Sequence, residues 1–570
     1  MDTLIFPIGI EDFTELRREG YYYVDKTGFI SELLQKKFKV NLITRPRRFG
    51  KTLTMSMLAD FLDIRKNSGG IFENLSISEN KEFCRMWMNQ WPVLFLSLKN
   101  IESLNFAGAF RLLKTTIADL CKKHDYLAAS EYVDRDDKNI FLKMKTGEMD
   151  EAEIKYSLYT IMRMMQAHFG KPVVLLIDEY DVPLAMASEN GYYLQMLDIV
   201  RGILGISLKT NEFLKFSVIT GCLRIAKENI FTGTNKFVSS SISDNRFQKF
   251  FGFTEQEALR ILKDTGFTER AEQLKKWYNG YCFGDQEIYC PWDVLNYVNA
   301  LQEQPDTKPE NYWKNTSHNS IIRSFINRTD LSVNEKFEKL LDGQSIRERI
   351  CEDLTYDVMH SSESNLWSVL YLTGYLTKER RTADSQDPDI YLKIPNEEIK
   401  SIFQETVMEW FRETVGTLDR GELFEALWTG GVQKAAEQIS DILFETISYH
   451  DYKESYYHAF MAGIFSGAGY TVESNYEYGL GRPDLVVKDT RKRSVLIIEV
   501  KYTDRKEKME QVCQKALEQI NVKAYAEKFL QGYRNVLCYG IVFFQKECRI
   551  EKHIFTRTAA DDLKKCGVID

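Results

Sequence analysis

NLITRPRRFGKTLTMSML, residues 41–58, carries a hydrophobic run into Gly50-Lys51-Thr52. That triplet is the tail of the phosphate-loop pattern G-x-x-x-x-G-K-[ST]. In such a loop a strand delivers a tight turn, a helix presents its N-terminal amides, and a lysine reaches the terminal phosphates. The stretch supplies each part: a strand over 40–45, a turn over 46–50 and a helix from Lys51. The first glycine of the pattern is missing, and Arg45 stands in its place. Pro46 is expected to shape the turn instead. Arg45, Arg47 and Arg48 add positive charge around Phe49 and Gly50, and Thr52 is placed to ligate Mg²⁺. Alone, the altered pattern also reads as a basic structural turn.

A second stretch decides between the two. PVVLLIDEYD, residues 172–181, is an apolar run ending in Asp178-Glu179, the acidic strand end that a phosphate loop requires. Asp178 would hold the water shell of Mg²⁺ and Glu179 would polarise the attacking water. By itself the pair reads equally as a solvated strand end. With the loop upstream, the two together point to an ATP site. A softer third element is SVITGCLRIAKENIF, with Thr220-Gly221 at a strand end and Arg224 three residues on. A polar group there can sense the γ-phosphate and an arginine can meet its transition-state charge. The other reading of Arg224 is a surface ion pair.

The runs at 39–45, 91–98, 172–181 and 213–221 are continuously apolar. Strands covered on both faces read that way, which predicts a parallel sheet in an α/β layer. The 570-residue chain suggests three or four domains, at roughly 100–200 residues each. Its 44% hydrophobic and 28% charged residues fit a globular protein, and a net charge of −8 excludes coating nucleic acid by bulk charge. Ten scattered cysteines show neither C-x-x-C nor zinc-finger spacing, as expected of reduced thiols. The N-terminus lacks a basic signal region, and no apolar run is long enough to cross a membrane, so a cytoplasmic protein with no membrane partner is expected.

From about Ser239 the texture changes. Thr254 and Glu257 form a capping-box pattern, an aromatic-rich stretch follows, and the sequence is then mostly helical to about Gln438. The last part reads α-β-β-β-α-β, with VLCYGIVFF as its final strand. Residues 451–570 carry 20 Lys and Arg against 17 Asp and Glu, a weakly basic segment that hints at a polyanionic partner.

Within it, GLGRPDLVVKDTRKRSVLIIEVKY places Asp484 at the entry of one strand, with Glu499 and Lys501 on one face of the next. A hairpin would bring Asp484 beside Glu499. Two carboxylates so placed suit Mg²⁺, with Mn²⁺ as a substitute, and Lys501 would orient a nucleophile or stabilise developing charge. Glu454, on an upstream helix, is a candidate extra ligand or ligand positioner. Gln519 and Tyr525 fall on a downstream helix. The plainer readings are a turn residue for Asp484 and a cross-strand ion pair for Glu499 and Lys501. A charge following VLII in a buried strand argues for function.

YYYVDKTGFI, RPRRFGKT, IDEYDVP, ITGCLRIAKENIF and WYNGYCFG, five motifs in order, resemble the AAA-ATPase-like proteins of gut and anaerobic bacteria over about Phe6 to Trp292. The resemblance implies an AAA-type P-loop core followed by a helical or winged-helix lid, with Asp25 and Lys26 near the nucleotide. Pro483-Asp484 and Glu499-Val500-Lys501 resemble the PD-(D/E)XK nuclease superfamily over about Tyr452 to Lys546, and Gln519 resembles the glutamine helix of its RecB-like members. The expectation is an α/β multidomain chain: a P-loop domain over 1–238, a lid and helical middle region over 239–438, and a nuclease domain with a restriction-endonuclease-like fold over 439–570. ATP would gate or drive Mg²⁺-dependent cleavage of nucleic acid, DNA ahead of RNA, in a chain able to form homo-oligomers. The rival from another class is a non-cleaving ATP switch whose nuclease-like domain only binds nucleic acid. A second rival is a nuclease whose ATP site is only structural.

Overall fold

The four apolar runs become strands β1 (Val40–Thr44), β2 (Val93–Ser97), β3 (Val173–Asp178) and β4 (Leu214–Gly221) of one parallel sheet. A fifth strand, β5 (Phe237–Ser240), pairs parallel with β1 and gives the order β2-β3-β4-β1-β5. This computed structural model describes residues 3–224, 237–313, 336–337, 339–354, 356, 362–379, 389–416, 421–446, 454–466, 470–474, 483–489, 492–522, 526, 529 and 532–556. They belong to two compact units, one of residues 1–317 and 343–400, the other of residues 318–342 and 401–570.

In the first unit β1 and β3 are buried along their whole length, which is why they read as largely apolar runs. Helices Phe106–Lys123, Glu151–Phe169 and Tyr193–Leu208 supply much of the core against them. Because β4 lies between β1 and β3, the carboxyl ends of the three strands sit side by side. That edge is where an open α/β sheet holds its ligand. β5 was not expected: FVSS is short and only half-buried, with no apolar run to announce it. It crosses the boundary expected after residue 238.

Past β5, the Thr254–Glu257 capping box forms and starts helix Glu255–Thr265. This helix shares an aromatic core with Ala271–Tyr278, Pro291–Glu303 and the N-terminal Phe6 and Tyr22. The region expected as mostly helical also contains strands. A hairpin joins Tyr281–Phe283 to Gln286–Ile288, and Ile346–Arg349, Asp389–Lys393 and Thr377–Lys378 form a small antiparallel sheet.

The second unit holds a five-stranded mixed sheet in chain order: Thr471–Ser474, Leu485–Asp489, Ser494–Tyr502, Asn535–Phe544 and Glu547–Thr556. The third and fourth strands run parallel, joined through helix Met509–Val522, and the other neighbours are antiparallel. One side packs on residues of Gly421–Thr429, Val432–Thr446 and Glu454–Ser466; smaller apolar clusters on other sheet residues take in Met509–Val522. The strand expected to be last is therefore the fourth. The fifth, ECRIEKHIFT, alternates charged and apolar residues over Glu547–Glu551 as an edge strand does, and a tight turn with Gln545 at φ +55° leads into it. The nine cysteines among the described residues are free thiols. No helix among those residues is long and apolar enough to cross a membrane.

Candidate active sites

The loop after β1 closes without its first glycine by taking left-handed backbone at Arg48 (φ +69°) and Gly50 (φ +77°). Helix Lys51–Leu62 starts there, with Gly50 as its N-cap. Lys51 is buried, and its Nζ donates to the carbonyls of Arg45 at 3.1 Å and Pro46 at 2.9 Å. Burial alone would lower its pKa, but Cys222, Glu179, Asp181 and Asp178 outweigh that and raise it. The ammonium is thus held charged at the mouth of the helix.

Asp178 ends β3 fully buried, and both of its carboxylate oxygens are occupied. Thr52 Oγ1 donates to Oδ2 at 2.8 Å and Thr220 Oγ1, from the end of β4, donates to Oδ1. Burial raises the carboxyl pKa against these two bonds. A threonine hydroxyl beside a carboxylate oxygen is a hard-oxygen pair of the kind Mg²⁺ takes, so these residues fit that ion. Glu179 sits at φ +52°, a strained value for a residue with a side chain, and its N–H donates to Thr220 Oγ1 at 3.3 Å. Such strain is common where a side chain must be aimed at chemistry.

Lys51, Thr52 and Glu179 open onto a cavity of about 490 Å³, within the usual range for a small-molecule site. Arg47, Gly50, Lys51, Thr52 and Glu179 line its polar part, while Tyr22, Val24, Phe253, Trp292 and Leu295 supply apolar wall.

The structure separates the residues of the basic loop. Arg45 does not line the cavity: its guanidinium is buried, donates to the carbonyls of Ser240 at 2.9 Å and Arg246 at 3.0 Å, and lies over Phe251 and Phe283. Burial lowers its pKa to about 10. Pro46 packs beside Gly374, where an added Cβ would come within 3.0 Å of it. The Phe49 ring is buried edge-on against Tyr281, 5.0 Å between centroids. Arg45 and Pro46 are thus taken up by the core beside the loop, whereas Phe49, its ring buried, still lines the cavity beside Arg47 and Arg48. Arg48 donates to the Tyr312 carbonyl at 2.6 Å and stacks 4.4 Å from the Trp292 ring. Arg224 lies 3.0 Å from Asp353 in a half-buried ion pair.

Asp181 was not singled out from the sequence, although it follows in the same IDEYD run. It is buried, and its Oδ2 accepts the N–H groups of Cys222 at 2.8 Å and Leu223 at 2.9 Å, fixing the chain after β4. Lys26 lines the cavity, but its Nζ is engaged by both oxygens of Glu257 and by the Lys249 carbonyl. Asp25 is turned to Thr27 and the Ser76 N–H, a local turn contact.

In the second unit the register Leu485↔Ile498 brings Asp484 across to the end of the neighbouring strand. Its Oδ2 accepts the Val500 N–H at 2.8 Å. Lys501 Nζ lies 3.4 Å from Glu499 Oε1 and 3.8 Å from Asp484 Oδ2, so the three predicted residues do converge. Gln519, from helix Met509–Val522, donates to Glu499 Oε1. Glu499 Oε2 is buried with no hydrogen-bond partner among the described residues. Burial, and after it the Asp484 carboxylate, push the Glu499 carboxyl up to about 7 against the pull of Lys501. His458 was missed in the sequence. Its Nε2 lies 2.7 Å from the Asp484 carbonyl, and it shares helix Glu454–Ser466 with Glu454. The side chains of Glu454 and Tyr525 lie outside those described.

Two carboxylates and an unpartnered buried oxygen at a strand edge fit a divalent cation in the donor chemistry they offer. Among the described residues, Asp, Glu, His and Cys side chains supply no third member to the cluster.

A parallel sheet with a phosphate loop at β1 and an acid at the end of β3, followed by a mixed sheet carrying Asp, Glu and Lys on adjacent strands, defines a P-loop protein joined to a nuclease fold. Residues 7–231 match the family model described as predicted AAA-ATPase, and residues 452–553 match the PD-(D/E)XK nuclease superfamily. The chain thus carries an AAA-ATPase-like domain and a C-terminal PD-(D/E)XK nuclease-superfamily domain. The second match runs past the expected end at Lys546 into the fifth strand. The chain is also 23% identical over 552 residues to a protein of Azotobacter chroococcum mcd 1 described as an uncharacterized protein in the vnfD 5' region, covering 94% of this chain and 96% of that one.

Proposed function

We propose that the chain hydrolyses ATP at the Lys51 site and cleaves nucleic acid, DNA in preference to RNA, at the Asp484–Glu499–Lys501 site, with ATP gating or driving the cleavage. The observation that carries this reading is Glu499: a carboxylate oxygen buried without a partner among the described residues, next to a second carboxylate, is a costly arrangement for a fold to keep unless a cation relieves it.

At the first site the amides at the start of helix Lys51–Leu62 and the Lys51 ammonium receive the phosphates, the lysine leaving its two carbonyls to do so. Thr52 and Asp178 would hold Mg²⁺, which neutralises phosphate charge when bound. Glu179 polarises the attacking water, and Thr220 keeps Asp178 oriented. At the second site Asp484 and Glu499 would hold Mg²⁺ or Mn²⁺, which when bound activates water and clamps the scissile phosphate. Gln519 fixes the Glu499 carboxylate. Lys501 orients the nucleophile or meets charge developing on the phosphate.

The test is incubation of the purified protein with linear, circular and single-stranded DNA, with and without ATP and with Mg²⁺ or Mn²⁺, beside an ATPase assay. Cleavage that needs the metal and responds to ATP supports the proposal. ATP hydrolysis with no cleavage under any condition would make the chain a nucleotide switch that only binds nucleic acid.

A further inference from the structure

The three arginines around the turn have different fates, and only one is left for chemistry. Arg45 is spent on the carbonyls of Ser240 and Arg246, and Arg48 on the Tyr312 carbonyl and the Trp292 face. Arg224, which follows β4, is paired with Asp353. Arg47 is exposed, lines the cavity, and makes no hydrogen bond or ion pair among the described residues. Its surroundings match those of Lys51: Cys222, Asp181 and Glu179 act on both side chains, and Tyr356 acts on Arg47 as well. Glu179 and Asp181 follow the end of β3, and Cys222 follows that of β4. Arg47 and Lys51 therefore face the same space, over the strand ends from which Glu179 reaches.

We propose that Arg47 is the catalytic arginine of the ATP site, supplied by the phosphate loop of the same chain to meet the charge that grows on the γ-phosphate during transfer. The inference rests on the hydrolysis reading above. An unpaired guanidinium presents a planar fork of donors to phosphate oxygens. In hydrolysis the γ–β bridging bond breaks as water oxygen bonds to the γ-phosphorus, the water proton leaves toward Glu179, and ADP departs with the bridging electrons. Arg47 would bind the γ-oxygens and the bridging oxygen more tightly as that charge shifts. Its freedom from other bonds also means that removing it leaves the loop's own supports in place.

The experiment compares wild type, Arg47→Ala, Arg47→Lys and Arg224→Ala in the full chain. It measures steady-state ATP hydrolysis, binding of fluorescent ADP, and trapping of ADP with aluminium fluoride. For Arg47→Ala, kcat should fall about a hundredfold or more while KM and ADP affinity stay within about threefold. The ADP–aluminium fluoride complex should be lost, and Arg47→Lys should recover part of kcat. Wild-type turnover per chain should not change on dilution, since the arginine is not borrowed from another copy. Wild-type hydrolysis that persists undiminished in Arg47→Ala overturns this inference alone. So does a loss confined to Arg224→Ala. A wild type that hydrolyses no ATP overturns the hydrolysis reading and this one with it.

Discussion

Replacing Glu499 by Gln should make the metal-free nuclease domain more stable at alkaline pH while destroying its function. Folding raises this carboxyl from its ordinary 4.5 to about 7, through burial and the neighbouring Asp484. Because the folded-state value lies above the unfolded one, the wild type loses stability as pH rises from 4.5 to 7, and the loss is complete above 7. A difference of that size corresponds to about 3 kcal/mol. Gln keeps the shape and the acceptor that Gln519 donates to, but carries no charge. At pH 8 Glu499→Gln should therefore melt higher than wild type by about 6–12 °C, for a unit of this size. At pH 4.5 the two should melt together. Mn²⁺ at a hundredfold its Kd should add about 2.7 kcal/mol to wild type and nothing to the variant, closing most of the gap. The assay is thermal denaturation of the full chain across pH, following the transition that responds to Mn²⁺. A variant no more stable than wild type at pH 8, or a gap that persists unchanged at pH 4.5, would refute the claim that a buried charge sits unrelieved at this site.

Lys51→Ala should abolish ATP hydrolysis, and Glu179→Gln should bind ATP normally but turn it over at least about a hundredfold more slowly; wild-type rates in either would sink the phosphate-loop assignment. Thr220→Val should lower turnover by about tenfold with little change in ADP affinity, since it frees one oxygen of Asp178; an unchanged kcat would show that Asp178 needs no such support. Asp484→Ala should remove nearly all nucleic-acid cleavage and weaken Mn²⁺ binding, whereas Lys501→Ala should impair cleavage with Mn²⁺ binding kept, as read by calorimetry and a gel assay on the same preparations. Full cleavage by Asp484→Ala would show the site to be misplaced.

The parallel sheet was legible because β1 to β4 are covered on both faces and so appear as apolar runs, and the convergence of Asp484, Glu499 and Lys501 followed from strand periodicity. What escaped had no such signal. β5 is four residues, three of them half-buried, whose partner, β1, lies about two hundred positions earlier, and the last strand of the nuclease sheet opens with an alternation that any exposed segment can show. The different settings of the loop residues were illegible for a related reason. Composition shows that Arg45, Arg47 and Arg48 are basic, but which of them is swallowed depends on carbonyls at 240, 246 and 312 that local sequence cannot place. Asp181 and His458 act through backbone groups just outside strands remote in sequence, and no motif spacing announces that.

The grip of Arg45 on Ser240 and Arg246 bears on the order of events during synthesis. A phosphate loop with a glycine at that position needs only its own strand and helix to close. This one is clasped by chain some two hundred residues downstream, beyond the end of the AAA-ATPase-like match at 231. A nascent polypeptide halted at residue 236 would contain Gly50-Lys51-Thr52, Asp178, Glu179 and Thr220, yet should fail to retain fluorescent ADP, whereas one carried on through the helices that end at Glu303 should hold it. Nucleotide would then become a ligand only after more than half the protein has left the ribosome, and the same clasp would make the loop an early casualty of any nick between β4 and Arg246.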